Sequence, residues 1–252
     1  MINVMLSGCN GKMGKVLSGL LANDSEAKVV CGFDINTDAG EGYPVYDNVD
    51  AIKEKVDVVI DFSHPNSLSS VMSFCKKNNV PVVVATTGLS DEQKADVVKL
   101  SENVPVFFSF NMSLGINLLV NLVKKATSIL CDNFDIEIIE KHHNQKIDAP
   151  SGTAIMIADA IKDTMKEKPE LVYDRHTVRK KREKNEIGMH AIRGGTIVGE
   201  HSVIFAGKDE VLELKHEAHS KEVFAVGAIK AAKFLIGKGA GMYDMANLIE
   251  EN

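Results

Sequence analysis

The opening of the chain constrains its fold more than any other stretch. Ile2 to Ser7 is a short apolar run with strand character, and it breaks into Gly8-Cys9-Asn10-Gly11-Lys12-Met13-Gly14. Met13, Val16, Leu17, Leu20 and Leu21 then recur at helical spacing. Strand, glycine loop and helix in immediate succession form the setting a dinucleotide fingerprint requires. Gly8 allows the tight turn, Gly11 the close approach of backbone to a pyrophosphate, and Gly14 the close packing of helix on strand. The helix N-terminus attracts the anion. Asn10 stands where the commoner motif has its second glycine, and glycines alone are a weak signal because many turns contain them.

The next apolar run, Lys28 to Phe33, ends at Asp34. A carboxylate about 20 residues past the glycine loop, at a strand end, is placed to accept hydrogen bonds from an adenosine ribose. Taken alone, Asp34 reads equally as a solvated turn residue. The alternation then continues. Val56 to Ile60, Pro81 to Ala85 and Val104 to Phe108 read as strands, and helices follow near Pro65 and Asp91. Strands alternating with helices predict a parallel sheet covered on both faces, with ligands at the carboxyl ends of its strands. Asp34, Ser63, Thr86, Thr87 and Asn111 lie at such ends. Ser63 and His64 read as well as ordinary turn residues, and the Thr86-Thr87-Gly88 loop is the better candidate for cofactor contact.

Beyond an apolar helix from Gly115 to Ile129 the pattern changes. Phe134 to Glu140 alternates like a half-buried strand, and Ala154 to Met165 reads as an amphipathic helix. Ile187 to Ile192, Thr196 to Phe205 and Val211 to Glu217 read as strands joined by short turns, and Ser220 to Ile236 as a helix. Met242 to Ile249 reads as a short helical tail. The last elements are candidates to return and cover the first domain. The basic run Arg175 to Lys184 reads as a solvated loop or edge strand. The predicted fold is therefore α/β: an N-terminal Rossmann-type dinucleotide-binding domain plus a smaller α+β C-terminal domain with a mixed or antiparallel sheet.

Composition removes several classes of function. A net charge of −6 over 252 residues disfavours nucleic-acid binding, which needs a basic surface. Cys9, Cys31, Cys75 and Cys131 are scattered, without a C-x-x-C pair, so neither a disulfide framework nor a zinc site is expected, and a reducing cytoplasm suits them. Met1-Ile2-Asn3 enters the first strand at once, so no signal peptide is expected, and no apolar run has membrane length.

The chemistry concentrates in Glu140 to Ala154, EKHHNQKIDAPSGTA. His142 and His143 are adjacent, so on a strand they point to opposite faces and cannot share a metal ion; no metal site is expected. Ser151 suits a helix cap better than a nucleophile. Acid–base chemistry fits best: imidazole titrates near neutrality, and Lys146 is either a proton donor or a fixed positive charge. Backbone N–H groups around Gly152 and Thr153, at a helix start, suit a carboxylate. Together these groups suit a small dicarboxylate receiving hydride at one carbon and a proton at its neighbour. Structural or surface histidines remain the alternative.

The same fifteen residues resemble the E-x-H-H-x-x-K-x-D-A-P-S-G-T-A signature of the 4-hydroxy-tetrahydrodipicolinate reductase (dihydrodipicolinate reductase) family of bacterial diaminopimelate and lysine biosynthesis. Supporting stretches are the G-x-x-G-x-M-G loop, Asp61-Phe62-Ser63, Thr86-Thr87-Gly88, Asn111 to Gly115 and Arg193 to His201, so the similarity runs essentially end to end. The resemblance implies reduction of the cyclic hydroxylated intermediate by NADH or NADPH, with loss of water. It makes His142 the proton donor/acceptor and Lys146 a second proton donor, and puts His143, Gly152 and Thr153 on substrate carboxylate. It assigns nucleotide contact to Gly8, Cys9, Asn10, Gly11, Lys12, Met13, Asp34, Ala85, Thr86, Thr87, Ser109, Phe110, Asn111 and Met112. It implies a nucleotide domain of residues 1–112 with 218–252, and a substrate-binding and tetramerisation domain of residues 113–217, in a cytoplasmic homotetramer. Lys12 stands where Arg is common, Ile35 and Asn36 follow Asp34, and Ala85 replaces a frequent Gly. Asp34 favours the free ribose of NADH while Lys12 is in reach of a 2′-phosphate, so NADH or dual use is expected. Two other readings remain. A semialdehyde-type dehydrogenase needs a catalytic cysteine that none of the four settings supplies. A nucleotide-sensing regulator has no use for an acid–base pair.

Overall fold

The computed structural model describes residues 1–38 and 42–251. The chain forms two compact units, Met1–Leu114 with Glu222–Asn252, and Gly115–Lys221.

The first unit is built on a seven-stranded parallel sheet. Its strands are β1 (Ile2–Ser7), β2 (Ala27–Phe33), β3 (Val45–Tyr46), β4 (Val58–Asp61), β5 (Val82–Val84), β6 (Pro105–Phe108) and β12 (Gly241–Tyr243), in the order β12-β6-β5-β4-β1-β2-β3. The order reverses at β1, so the loops after β1 and β4 diverge there and open the crevice where such sheets take ligands. Side chains alternate between two cores, because a strand sends successive residues to opposite faces. Val4, Leu6, Ile60 and Phe107 pack on one side, and Met5, Val59, Val82 and Val106 on the other. Full burial of a side chain such as Leu6 or Ile60 is worth roughly 1.5–3 kcal/mol.

Five helices cover these faces: α1 (Lys12–Leu21), α2 (Leu68–Asn78), α3 (Asp91–Ser101), α6 (Glu222–Leu235) and α7 (Met245–Glu250). Leu17 and Leu21 of α1 share the first core with Ala225, Ala228, Ala231 and Leu235 of α6. Small residues at these spacings let the returning helix lie close to its neighbours. Ser90 and Gln93 form a reciprocal capping box at the start of α3, which satisfies donors that the first helical turn otherwise leaves open. Lys233 of α6 grips Asp24 at 2.8 Å and Glu26 at 2.7 Å, pinning the C-terminal segment beside the start of β2.

The second unit holds a mixed five-stranded sheet, order β11-β10-β7-β9-β8. Its strands are β7 (Asp135–His142), β8 (Glu170–Val172), β9 (Glu186–Arg193), β10 (Gly199–Ala206) and β11 (Val211–Ala218). β7 and β9 are parallel, so the chain must cross over between them, and α5 (Gly152–Thr164) lies in that connection. Ile136, Ile138, Ile187, Val203 and Phe205 pack one face of the sheet against Ile116, Leu119 and Val123 of α4 (Leu114–Leu130) and against Ile157 and Ile161 of α5.

The sequence reading needs four corrections. The tail is not purely helical: Gly241–Tyr243 pairs with β6 as an edge strand, a run too short to show a period. β3 and β8 are likewise short strands with no alternation to betray them. β10 begins at Gly199, because Gly194 to Val198 form the turn that precedes it. The basic run is not simply solvated: Arg182 and Arg175 each reach Glu137 at 3.1 Å, and Arg175 also reaches Glu186 at 2.7 Å. Acidic partners on β7 and β9 fold this loop onto the sheet, a pairing that local charge counting does not reveal. Among the described residues no helix is long and apolar enough to cross a membrane, and no cluster of metal-ligating side chains occurs.

Candidate active site

The carboxyl ends of the parallel strands carry the first set of functional groups. Gly8 turns the chain after β1 with φ +78°, a conformation that penalises any side chain, and Gly14 sits so close to the loop that a Cβ would lie 2.2 Å from the Gly8 carbonyl oxygen. Gly11 is the N-cap of α1, and its side-chain-free position makes no side-chain capping hydrogen bond. This bare, tightly turned helix start fits a pyrophosphate, whose charge the exposed N–H groups and helix dipole favour. The Asn10 N–H donates to Asp34 at 3.0 Å, and the Asn10 side chain donates to the Asn36 carbonyl at 2.6 Å. Asn10 thus straps the loop after β2 to the glycine loop, a use that explains its place in the motif.

Met13, Ala85, Thr86, Thr87, Ser109, Phe110, Asn111 and Met112 line one cavity, so the structure brings together the loops after β1, β5 and β6. Phe62, Ser63 and Phe224 complete its wall. Two expected contacts take a different form. Cys9 is fully buried in the core and is not part of the cavity wall. The Thr86 hydroxyl donates to Asp61 at 2.7 Å, and Ser63 donates to the same carboxylate at 2.6 Å. Asp61, fully buried, therefore braces two of the loops, and burial pushes its carboxyl upward against these donors. Sequence reading noted its motif and missed that role. His64 is a local cap, its ring accepting from the Asn66 N–H at 3.2 Å.

The second set lies in the other unit, at the end of β7. Alternation puts Ile136, Ile138, Glu140 and His142 on its buried face, so apolar packing gives way to a carboxylate and an imidazole. Register supplies their neighbours: Arg193 of β9 lies opposite His142, and His201 of β10 opposite Glu140. Glu140 accepts from His142 Nδ1 at 2.6 Å, from both terminal nitrogens of Arg193 at 2.8 and 2.7 Å, and from the Ser151 N–H at 3.0 Å. Burial works upward on the Glu140 carboxyl, but Arg193, His142 and the Ser151 N–H together hold it below the ordinary range. Burial lowers the His142 pKa, with Lys146 and Arg193 acting in the same direction and Glu140 opposing them.

Ser151 caps α5, accepting from the Ala154 N–H at 3.2 Å, and its hydroxyl lies 3.1 Å from His201 Nε2. Burial drives His201 down to about 4, so that ring is neutral at physiological pH. Lys146 pairs with Asp148 at 2.8 Å, and that partner holds the Asp148 carboxyl below the ordinary range. His143, next along the chain, leaves the buried face that His142 occupies, and its carbonyl accepts from the Lys146 N–H at 3.1 Å. Glu140, Arg193 and His201 were quoted in the sequence motifs without a function. The usable signal was the spacing of Glu140 and His142 by two on a strand. A cysteine nucleophile gains no support, since burial raises Cys31 to about 12 and moves Cys75 upward as well, so neither is a thiolate near neutrality.

Two family descriptions match the sequence: "Dihydrodipicolinate reductase, N-terminus" over residues 2–112 and "Dihydrodipicolinate reductase, C-terminus" over residues 115–249. A 4-hydroxy-tetrahydrodipicolinate reductase from Caldanaerobacter subterraneus subsp. tengcongensis is 53% identical over 251 residues, covering 100% of this chain and 99% of the relative. One from Clostridium novyi is 52% identical, covering 99% of each. Among solved structures, the dipicolinate-bound dihydrodipicolinate reductase from Paenisporosarcina sp. TG-14 superposes with a TM-score of 0.81 at 25% identity, covering 97% of each chain. A putative myo-inositol dehydrogenase from Sinorhizobium meliloti, at 13% identity and a TM-score of 0.63 over 96% of this chain and 91% of its own, shares the fold.

Proposed function

The chain belongs to the dihydrodipicolinate reductase family, and from that premise we propose that it reduces (2S,4S)-4-hydroxy-2,3,4,5-tetrahydrodipicolinate to (S)-2,3,4,5-tetrahydrodipicolinate with loss of water. The observation that carries this reading is the Asp148 carboxylate, paired with Lys146 at 2.8 Å in the loop that leads into α5. Lys146 already binds a carboxylate of the chain itself, the chemistry required for an edge of a dicarboxylate substrate, and the start of α5 at Gly152 offers backbone N–H groups beside it. Thr153 and His143 flank them and are assigned to the same substrate.

A bound NADH or NADPH supplies the hydride. Gly8 to Met13 and Asp34 would hold its adenosine diphosphate portion, and the cavity from Ala85 to Thr87 and Ser109 to Met112 the remainder. His142 and Lys146 handle the protons. With Nδ1–H directed at Glu140, the lone pair of the neutral ring is on Nε2, which takes or returns a proton at the carbon next to the reduced one. A lowered pKa makes the His142 imidazolium a stronger donor. Lys146 serves as a second proton donor beside the substrate carboxylate.

Asp34 supports use of NADH, and Lys12 leaves NADPH acceptable; both nucleotides are proposed. Exposed Ile192 on β9 and Val211 and Leu212 on β11 support a homotetramer formed through this sheet, and a cytoplasmic setting accords with the three buried free thiols. Light scattering behind size exclusion reads the assembly directly. The deciding experiment is steady-state kinetics with NADH and NADPH on enzymatically generated substrate. Nucleotide oxidation should depend on that dicarboxylate, and its absence with either nucleotide would sink the proposal.

A further inference from the structure

We propose that Glu140 is a positioning residue: it fixes the tautomer of His142 and ties that ring to the start of α5, so that one buried carboxylate aligns proton transfer with substrate-carboxylate binding. The inference rests on the function proposed above and adds a residue to which no role has been assigned.

The argument is one of hydrogen-bond capacity. An ionised carboxylate only accepts. Glu140 is 1% exposed and is met by four nitrogens: His142 Nδ1, the two terminal nitrogens of Arg193, and the Ser151 N–H. Arg193 and the backbone amide have nothing but protons to offer. His142 alone has a choice, and only the Nδ1–H form bonds to Glu140; the other tautomer would set two lone pairs 2.6 Å apart. The neutral ring is thereby left with its lone pair on Nε2, the atom that must exchange the proton.

The same carboxylate reaches the substrate clamp by two routes. Its Oε1 receives the Ser151 N–H, and Ser151 in turn caps α5 through the Ala154 N–H. Arg193 Nη2 also donates to the Asp148 carbonyl at 2.7 Å, which holds the segment between Lys146 and the helix. The charged or titratable groups around Glu140 are His142 on its own strand, Arg193 from β9, His201 from β10 with His216 behind it on β11, and Lys146 and Asp148 from the connecting loop. Arg193 is the cation that bonds to it directly. A carboxamide at position 140 would turn an N–H toward one of four existing donors, lose the attraction to Arg193 and release the tautomer.

Nitrogen-15 NMR of the histidine-labelled full-length protein near pH 8 tests the first half on the native chain. His142 should show a protonated Nδ1 and an unprotonated Nε2; the opposite tautomer overturns the proposal. Kinetics of Glu140→Gln test the second. The kcat should fall about 10–100-fold, in the range for a partner that orients a reactive group, with a raised KM for the dicarboxylate and a nucleotide Kd within about twofold of native. The basic limb of the kcat profile should move to lower pH, because the carboxylate supports the His142 imidazolium that donates the proton, and a merely structural role would not move it. Arg193→Lys should keep the tautomer yet raise the KM, since the bidentate grip and the bond to Asp148 are lost. Native kcat and KM in Glu140→Gln overturn the proposal. Should that variant fail to fold, as read by circular dichroism, the native spectrum and Arg193→Lys decide it. Should the native protein not turn over the dicarboxylate, the proposed function fails while the tautomer measurement stands independently.

Discussion

The backbone N–H of Asn10 donates to one oxygen of Asp34 at 3.0 Å, and the Asn36 N–H donates to the other at 3.1 Å. The acid at the end of β2 is thus oriented by the two loops that would surround an adenosine ribose. Removing it should matter more for NADH than for NADPH, because the carboxylate accepts from ribose hydroxyls but repels a 2′-phosphate. Asp34→Ala should weaken NADH binding about tenfold or more, as expected for hydrogen bonds to a charged group, and weaken NADPH less. Titration of nucleotide fluorescence gives both constants. Equal losses would remove Asp34 from ribose recognition.

His142→Gln and Lys146→Ala should separate chemistry from nucleotide binding. Each should lower kcat by about 10²–10⁴-fold, the range for general acid–base groups, and leave nucleotide Kd near native. Lys146→Ala should also raise the KM for the dicarboxylate, because Lys146 holds a carboxylate in this structure. Full turnover by both variants would show that the proton comes from elsewhere.

Folding lowers the His201 pKa from 6.5 to about 4. Between those values the unfolded chain takes up a proton that the folded chain refuses. Stability should therefore be complete above about pH 6.5 and decline as the pH drops toward 4, by up to roughly 3 kcal/mol from this group. Burial lowers His142 and His216 as well, so they add to the decline in the same direction. The Tm of the native protein should fall across that window, and His201→Gln should flatten the slope. An unchanged slope would mean that His201 is not held neutral by burial.

Gly14→Ala should damage the nucleotide site without touching the chemistry in the other unit. Its new methyl would lie 2.2 Å from the Gly8 carbonyl oxygen and 2.4 Å from that of Cys9, so the loop and α1 must separate. Nucleotide affinity should fall more than tenfold, roughly a loss of 1.4 kcal/mol or more. Calorimetric titration measures it, and near-native affinity would mean that the loop yields.

The parallel sheet was readable along the chain because its signals are local. Val58 to Asp61 and its neighbours are short apolar runs, each closed by turn residues, and Ser90 with Gln93 marks a helix start within four residues. β3 and β12 were not readable, because two or three residues carry no period. Their status depends on the backbone edges of β2 and β6 beside them. The contacts of Arg175 and Arg182 were hidden for a related reason: Arg182 finds Glu137 across 45 positions of sequence.

The stretch from Glu140 to Ala154 divides in the same way. The sequence alone determined that His142, Lys146 and a helix start lie together, since they are neighbours in the chain, and that adjacent histidines on a strand cannot share one metal ion. It also determined the family, because fifteen consecutive residues carry its signature. The tertiary structure alone decided what acts on them. Arg193 and His201 come from strands whose register sets them beside His142 and Glu140, and burial of that face lowers the His142 pKa while Glu140 holds its proton on Nδ1. Residue types and their order are local properties of a chain, whereas desolvation, register and charge pairing exist only once distant segments meet.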